Sequence, residues 1–328
     1  MKFKSTMALG TLTSLCIGAA LADEPSPAAL VDALNGVFGR HAHMRASHAK
    51  GFCISGEFIS SGAGAKLSSA KHLQANTITP MIGRFSIGGG NPNAPDNARN
   101  LRGLTLRFDI AGGERHDLLM ISSPMFFART PSEFVEFLAV RKPDPATGKP
   151  IKEKLDAFNA ANPHTLLQAK YVASQPVPAS YATIPYWAVS TFYLENSAHK
   201  KTAIRWRAEP VANQQGLSDE EAAARSKAFL ADELTSRLEN GPVEFQLYAM
   251  LAQKEDNLID PTEVWPTTRK EVLVGNIRIK AQTAQACDTT TFIPTVLPAG
   301  MLPSADPTLP VRAAAYVTSL GHRLSSPK

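Results

Sequence analysis

Arg312 and Tyr316 stand four residues apart in the run VRAAAYVTSLGHRL, one turn up the same face of a helix. A guanidinium held over a phenol favours phenolate, and a phenolate is an anionic oxygen ligand for ferric iron, haem iron included. The commoner use of that spacing is a tyrosine packed on a neighbouring element beside a surface arginine, so the pair alone leaves both uses open. A second candidate is His48 in RASHAKG, residues 45–51, with Arg45 three positions before it and Lys50 two after. An imidazole there can be a metal ligand, a general base or an ordinary half-buried group.

The other histidines offer less. His41, His43 and His48 form an H-x-H-x4-H pattern that fits no common zinc framework, and the first two are expected exposed between a helix and a strand. His72, His116, His164 and His199 lie among polar residues and are expected at the surface. SIGGGNPN is rich in glycine but does not lead into a helix, so it reads as a loop and not a phosphate cradle. Of the three cysteines, Cys16 falls in a leader-like stretch, leaving Cys53 and Cys287, which an oxidising compartment could pair.

These groups need a scaffold, and the sequence describes one. Residues 28–40 have apolar positions at helical spacing. RGLTLRFDI then alternates, with Leu104, Leu106, Phe108 and Ile110 on one face, and GFCISGEFIS, GRFSIGG, HDLLMISSPMFFA, PYWAVSTFYLEN, KTAIRWRAE, PVEFQLYAMLAQ and EVLVGNIRIKAQ are further strand candidates. Helices are expected in TPSEFVEFLAVRK and in SDEEAAARSKAFLADELTSRLENG, where Ser218 and Glu221 occupy capping-box positions. FIPTVLPAGMLPSADPTLP carries five prolines and cannot be sheet core, and Pro310 opens the last helix. The pattern is α+β: an antiparallel sheet of many strands, closed or nearly closed into a barrel, with helices around it.

Lys2 and Lys4, the apolar run MALGTLTSLCIGAAL and Ala20-Leu21-Ala22 have the form of a secretory signal cleaved after Ala22. Residues 1–22 are accordingly read as a signal peptide, residues 23–328 as one domain, and the location as periplasmic or secreted. Removing the two lysines lowers the formal charge from +5 to +3, too mild and too dispersed for a nucleic-acid binder. No later run is apolar and long enough for stable membrane insertion.

Read together and in order, the motifs resemble those of the haem catalases. MRASHAKGFCISGEF is similar to the family's distal-histidine segment, GRFSIGG to its R-F-S strand and RGLTLRF to its R-G-x-x-x-K-F strand. SSPMFFARTPSEF is similar to its T-P-x-F-F-x-R-D-P segment, EVWPTTRKEVLVGNIRI to its V-W-P…V-G strand, and RAAAYVTSLGHRL to its R-x-x-x-Y proximal helix. The resemblance implies a catalase-like barrel binding haem b. It makes His48 the distal base, Ser86 the group that orients it, and Tyr316 the axial iron ligand kept as phenolate by Arg312. Arg45, Arg84 and Arg323 match positions that pair with haem propionates, and Phe134 matches an aromatic near the distal face.

Departures from the family pattern redirect the function. Ile121 stands where catalases carry the asparagine that holds peroxide, with Ser122 next; Asn100 replaces a channel aspartate, and Leu320 replaces a histidine. The long N-terminal arm and the C-terminal helical or flavodoxin-like domains have no counterpart, which implies a monomer or dimer in place of an interwoven tetramer. This version resembles the catalase-related peroxidase subgroup. It implies reduction of hydrogen peroxide or organic hydroperoxides by small organic reductants, with weak catalase activity. A haem-handling protein without turnover and a haem-dependent rearrangement of lipid hydroperoxides are the other readings.

Overall fold

Alternation builds the barrel. In β3 (Arg102–Ile110) the side chains of Leu104, Leu106, Phe108 and Ile110 are buried inward, while Thr105, Arg107 and Asp109 lie on the opposite face. The same two-faced pattern runs through β1 (Gly51–Ser60), β2 (Ile78–Ile87) and β4 (Glu114–Ile121). The short β5 (Tyr186–Trp187) follows, then β6 (Lys201–Pro210), β7 (Val243–Leu251) and β8 (Glu271–Thr283). Each strand pairs antiparallel with the next, and β8 pairs with β1, so eight strands close in sequence order. Closure removes the free edges that a sheet of this size would otherwise expose. Phe58, Phe85, Phe108, Tyr186, Trp206 and Phe245 fill the interior, and a fully buried phenylalanine contributes about 1.5–3 kcal/mol.

The computed structural model describes residues 24–284 and 287–326, so the predicted signal peptide, residues 1–22, lies outside the described residues. Seven α-helices surround the barrel among them: α1 (Pro27–Phe38), α2 (Pro131–Ala139), α3 (Lys152–Ala161), α4 (Leu167–Ser174), α5 (Asp219–Ala224), α6 (Phe229–Glu239) and α7 (Thr308–Leu324). Leu30 and Val31 of α1, Phe134 and Val135 of α2, and Val311 and Ala315 of α7 form a small apolar cluster of their own. That cluster fixes α7 against the rest of the chain.

The outer face of β1–β4 is covered by the proline-spaced stretch. Arg107 grips Asp117 with two hydrogen bonds of 2.6 Å and reaches the Thr291 carbonyl at 2.8 Å. The Ile293 N–H donates to Asp117 at 2.7 Å. Cys53 of β1 and Cys287 are joined by a disulfide with Cα atoms 5.5 Å apart, which ties the start of this cover to the barrel wall.

Several sequence expectations change. The helix expected over 218–241 is two, α5 with its capping box at Ser218 and Glu221 and α6, separated at Arg225–Ala228. The buried carboxylate of Asp96 accepts the Leu230 N–H at 2.9 Å, and the Lys227 carbonyl takes hydrogen bonds from Asp96 N and Lys50 Nζ. A non-local partner thus caps a second helix where local propensity favours one. His72 and His116 are not at the surface: they are 1 % and 2 % exposed inside the barrel, their rings in contact through His116 Nδ1 and His72 Nε2 at 3.2 Å. Burial lowers both imidazole pKa values, His72 to about 4, so they are neutral core groups. His164 is half-buried on Glu133 at 2.7 Å, and His199 is exposed as expected. Helices α3 and α4 carry little buried apolar surface, which is why their periodicity is faint.

Candidate active site

One cross-strand row sets the shape of the site. Gly51 pairs with Ser86, Ser86 with Gly103, and Gly103 with Ile121, and side chains at directly paired positions share a face. The row therefore lies on the outer face of β1–β4, with Ser86 and Ile121 flanking a glycine. A Cβ at Gly103 would lie 2.6 Å from Ser86 Oγ and 2.9 Å from His48 Nδ1. Gly103 is the gap into which the imidazole settles.

His48 enters that gap from a left-handed backbone, φ 53°, a conformation costing a non-glycine residue roughly 1–3 kcal/mol. The neighbours that hold it there are visible. Arg84 donates through Nη1 to the His48 carbonyl at 2.8 Å and through Nη2 to the Ala49 carbonyl at 2.9 Å, and Ala49 N donates to Gly89 O at 3.1 Å. Lys50 anchors the following residue through Asp96 at 2.7 Å. Ser86 Oγ then sits 2.9 Å from His48 Nδ1. Burial, with the charges of Arg84, Arg312 and Arg45, pushes the His48 pKa down to about 4, so the ring is neutral at physiological pH.

The opposite side is local. Arg312 Nε and Nη2 both point at Tyr316 Oη, 3.1 and 2.9 Å away, from one turn earlier on α7. Burial alone lowers the Arg312 pKa, but the charge and hydrogen bonds of Tyr316, with Asp306, raise it on balance. The Arg312 charge contributes, after burial and Arg84, to the lowered His48 pKa, in keeping with a helix packed against the distal turn. Two contacts lock them together: Ala46 N donates to Ser319 Oγ at 3.3 Å, and His43 Nδ1 is 3.2 Å from the Arg323 carbonyl. Phe134 stacks on Phe126 and Phe127, with centroids 6.3 and 5.4 Å away, within the apolar cluster that supports α7. Leu320 is half-buried one turn past Tyr316.

Arg45, Arg84 and Arg323 converge below His48. Arg45 Nη2 donates to the carbonyls of Cys287 and Thr290 at 3.0 and 3.1 Å, and Arg323 Nη1 to that of Asp288 at 2.7 Å. Burial first, then the charges of Arg84 and Arg323, lower the Arg45 pKa to about 9; burial takes Arg84 to about 10 and also lowers Arg323. Nε of Arg84 and Nε of Arg323 are buried without partners among the described residues. Mutually repelling, under-partnered guanidinia suit a ligand that brings carboxylates. With a phenol held by an arginine fork on one side and a neutral imidazole on the other, the residues present fit haem.

The departures have structural form. The register places Ile121 on the same face as Gly103, beside the imidazole. Ser122 does not replace the missing amide, because its hydroxyl accepts the Arg102 N–H at 2.9 Å within the sheet ladder. Asn100 turns its amide onto the Pro95 carbonyl at 3.0 Å. Sequence reasoning singled out neither Gly103 nor the carbonyls of 287–290. Gly103 carried a usable signal, being a glycine at an outward position in RGLTLRF.

A closed antiparallel barrel with a histidine over its outer wall and an arginine-clamped tyrosine on a facing helix defines a haem-type oxidoreductase scaffold. The Catalase family model matches residues 29–327, and the chain belongs to that family, whose members bind haem and act on peroxide. It is 34 % identical over 301 residues to the catalase-related peroxidase of Synechococcus elongatus, covering 91 % of this chain and 88 % of that protein. It is 30 % identical over 305 residues to the catalase-related peroxidase of Mycolicibacterium paratuberculosis, covering 90 % and 94 %. To the catalase of Schizosaccharomyces pombe it is 27 % identical over 303 residues, covering 86 % of this chain and 58 % of that one. The chain is an oxidoreductase of the haem catalase family.

Proposed function

We propose that this protein is a haem b peroxidase that reduces hydrogen peroxide or organic hydroperoxides with small organic reductants and releases little dioxygen. The observation that carries the reading is the row Ser86–Gly103–Ile121, which keeps the base and its orienting hydroxyl while an alkyl group fills the place of a polar anchor. Two relatives named catalase-related peroxidase support it.

The proposed chemistry of the side chains follows from their geometry. With Nδ1–H donated to Ser86 Oγ, 2.9 Å away, Nε2 of the neutral His48 carries the lone pair. It takes the proton from the near peroxide oxygen and returns it to the far one, so that water or an alcohol leaves. Tyr316, whose hydroxyl oxygen the Arg312 fork holds, would bind the iron; Arg45 and Arg323 would bind propionate, and Arg84, which fixes the turn that aims His48, would add its charge. When bound, haem would supply the redox chemistry that accepts the two oxidising equivalents of peroxide and lets donors discharge them one electron at a time. Dioxygen release requires a second peroxide held over the iron as a reductant, and Ile121 offers it no hydrogen-bond donor. Organic donors therefore supply, one at a time, the two electrons that a second peroxide would otherwise give.

The Cys53–Cys287 disulfide supports export to an oxidising compartment, in keeping with residues 1–22 as a cleaved signal. Among the described residues no helix is long and apolar enough to cross a membrane. The test is to record the Soret and charge-transfer bands of the holoprotein, then add peroxide with and without a chromogenic reductant. Phenolate-type ferric bands and reductant-dependent turnover are expected; dioxygen evolution at full catalase rates contradicts the role given to Ile121.

A further inference from the structure

We propose that the Cys53–Cys287 disulfide is a positioning device for the candidate site: it fixes to the barrel wall the turn 287–290, whose carbonyls set Arg45 and Arg323. Without that bond the two arginines should lose their grip on a ligand's carboxylates while the site keeps its fold. This rests on the propionate reading of those arginines and on no property of the reductant.

Register places the bond beside the site. Cys53 pairs with Arg84, Arg84 with Thr105 and Thr105 with Leu119. Each lies two residues along its strand from the row Gly51–Ser86–Gly103–Ile121, so both rows share the outer face of the barrel. Arg84 is the residue that holds the His48 turn. The crosslink therefore leaves the wall alongside one member of the arginine cluster.

At the turn, three separately placed elements meet. Arg45, from the distal turn, donates to the carbonyls of Cys287 and Thr290, and Arg323, from α7, to that of Asp288. Thr290 N closes the turn on the Cys287 carbonyl at 3.0 Å, and Cys287 N lies 3.0 Å from Cys53 Sγ. Cys287 is thus the attachment of the turn to the barrel. The next attachments along the chain come after it, where Arg107 reaches the Thr291 carbonyl and the Ile293 N–H reaches Asp117.

Hydrogen bonds to carbonyls tie each guanidinium to the turn, but on their own they leave the turn free to move with the guanidinia. Two like charges held on so short a segment also push it outward. A covalent bond to β1 reverses the dependence: the wall fixes the carbonyls, and the carbonyls fix where each fork points. Direction matters because a guanidinium grips a carboxylate through paired N–H groups. The seat is packed as well as bonded, since Cys53 and Cys287 are buried with Phe292 against Ile82 and Leu119.

The test compares haem with haem dimethyl ester, which keeps the ring and iron but offers no negative carboxylate. Each is loaded into the full chain, and its loss to an excess of a scavenger apoglobin is timed. The parent should lose the ester at least about tenfold faster than haem, the worth of a hydrogen bond to a charged group. Arg45→Leu, and separately Cys53→Ala with Cys287→Ala, should each speed the loss of haem about tenfold and leave the ester nearly unchanged. Combined, the changes should add little to either alone, because they act through one contact. Parent holoprotein whose disulfide a phosphine has reduced to two thiols, counted after alkylation, should behave as the double variant does. Equal acceleration of haem and ester on loss of the disulfide, or no acceleration, overturns the inference; the propionate reading still stands if Arg45→Leu narrows the difference between them. If Arg45→Leu leaves that difference intact, the propionate reading fails and the positioning role falls with it.

Discussion

The two sides of the candidate site are built in opposite ways. The proximal side is one face of one helix: Arg312 and Tyr316 are a turn apart, and their contact follows from helical geometry. The distal side is assembled from a turn in left-handed backbone and three strands, of which β2 supplies both Ser86 and the arginine, Arg84, that holds the turn. A local device tolerates drift elsewhere in the chain, whereas the distal one depends on register, because a one-residue slip would carry Ser86 and Ile121 to the barrel interior. On the distal wall a single side chain, such as Ile121, therefore alters what can be held there.

That contrast gives its largest effects when each side is removed in turn. His48→Ala should retain haem and slow the reaction with peroxide by about 10²–10⁴-fold, the usual worth of a positioned base, read by stopped flow. Tyr316→Phe should do the reverse, weakening haem affinity by at least about tenfold to a hundredfold, as loss of support at a metal centre does, read by haem titration. Equal behaviour of the two variants would erase the distinction. Gly103→Ala comes next: the methyl would displace both the imidazole and Ser86 Oγ, so the peroxide step should fall by about 10²-fold, as a 1 Å misplacement does, with haem binding nearly unchanged.

The pH dependence sharpens the same point. His48 acts as a base only when neutral, and its pKa is pushed down to about 4. The peroxide step should stay flat through neutral pH and drop toward tenfold per pH unit once the pH is below about 4. The arginine cluster carries the opposite sign. A dianionic ligand needs Arg45 charged, and its pKa stands at about 9, so haem affinity should fall as the pH rises beyond that value. The smallest effect is expected for Ile121→Asn, which restores a donor on the distal row: dioxygen released per peroxide should rise by several-fold, up to about tenfold for one hydrogen bond, without loss of haem.

Legibility in the sequence follows the same division. Arg312 and Tyr316, the alternation of β3 and the capping box of α5 are local patterns, and each stands in the structure where its spacing put it. His48, Ser86 and Ile121 were found through ordered motifs, but the reason they meet is a pairing register that no single segment encodes. Asp96, which splits α5 from α6, and Gly103, whose value is an absent side chain, act through partners distant in the chain. His72 and His116 misled because polar neighbours in sequence say nothing of the barrel face on which an alternating strand or a short 3-10 turn will put an imidazole.

The central claim is that oxidising equivalents from peroxide leave through organic donors instead of a second peroxide. Its most direct test is the stoichiometry of turnover: phenoxyl formed and dioxygen released per peroxide consumed by the holoprotein at saturating phenol. The account predicts two phenoxyl radicals per peroxide and almost no dioxygen; half a dioxygen per peroxide with the phenol untouched would contradict it.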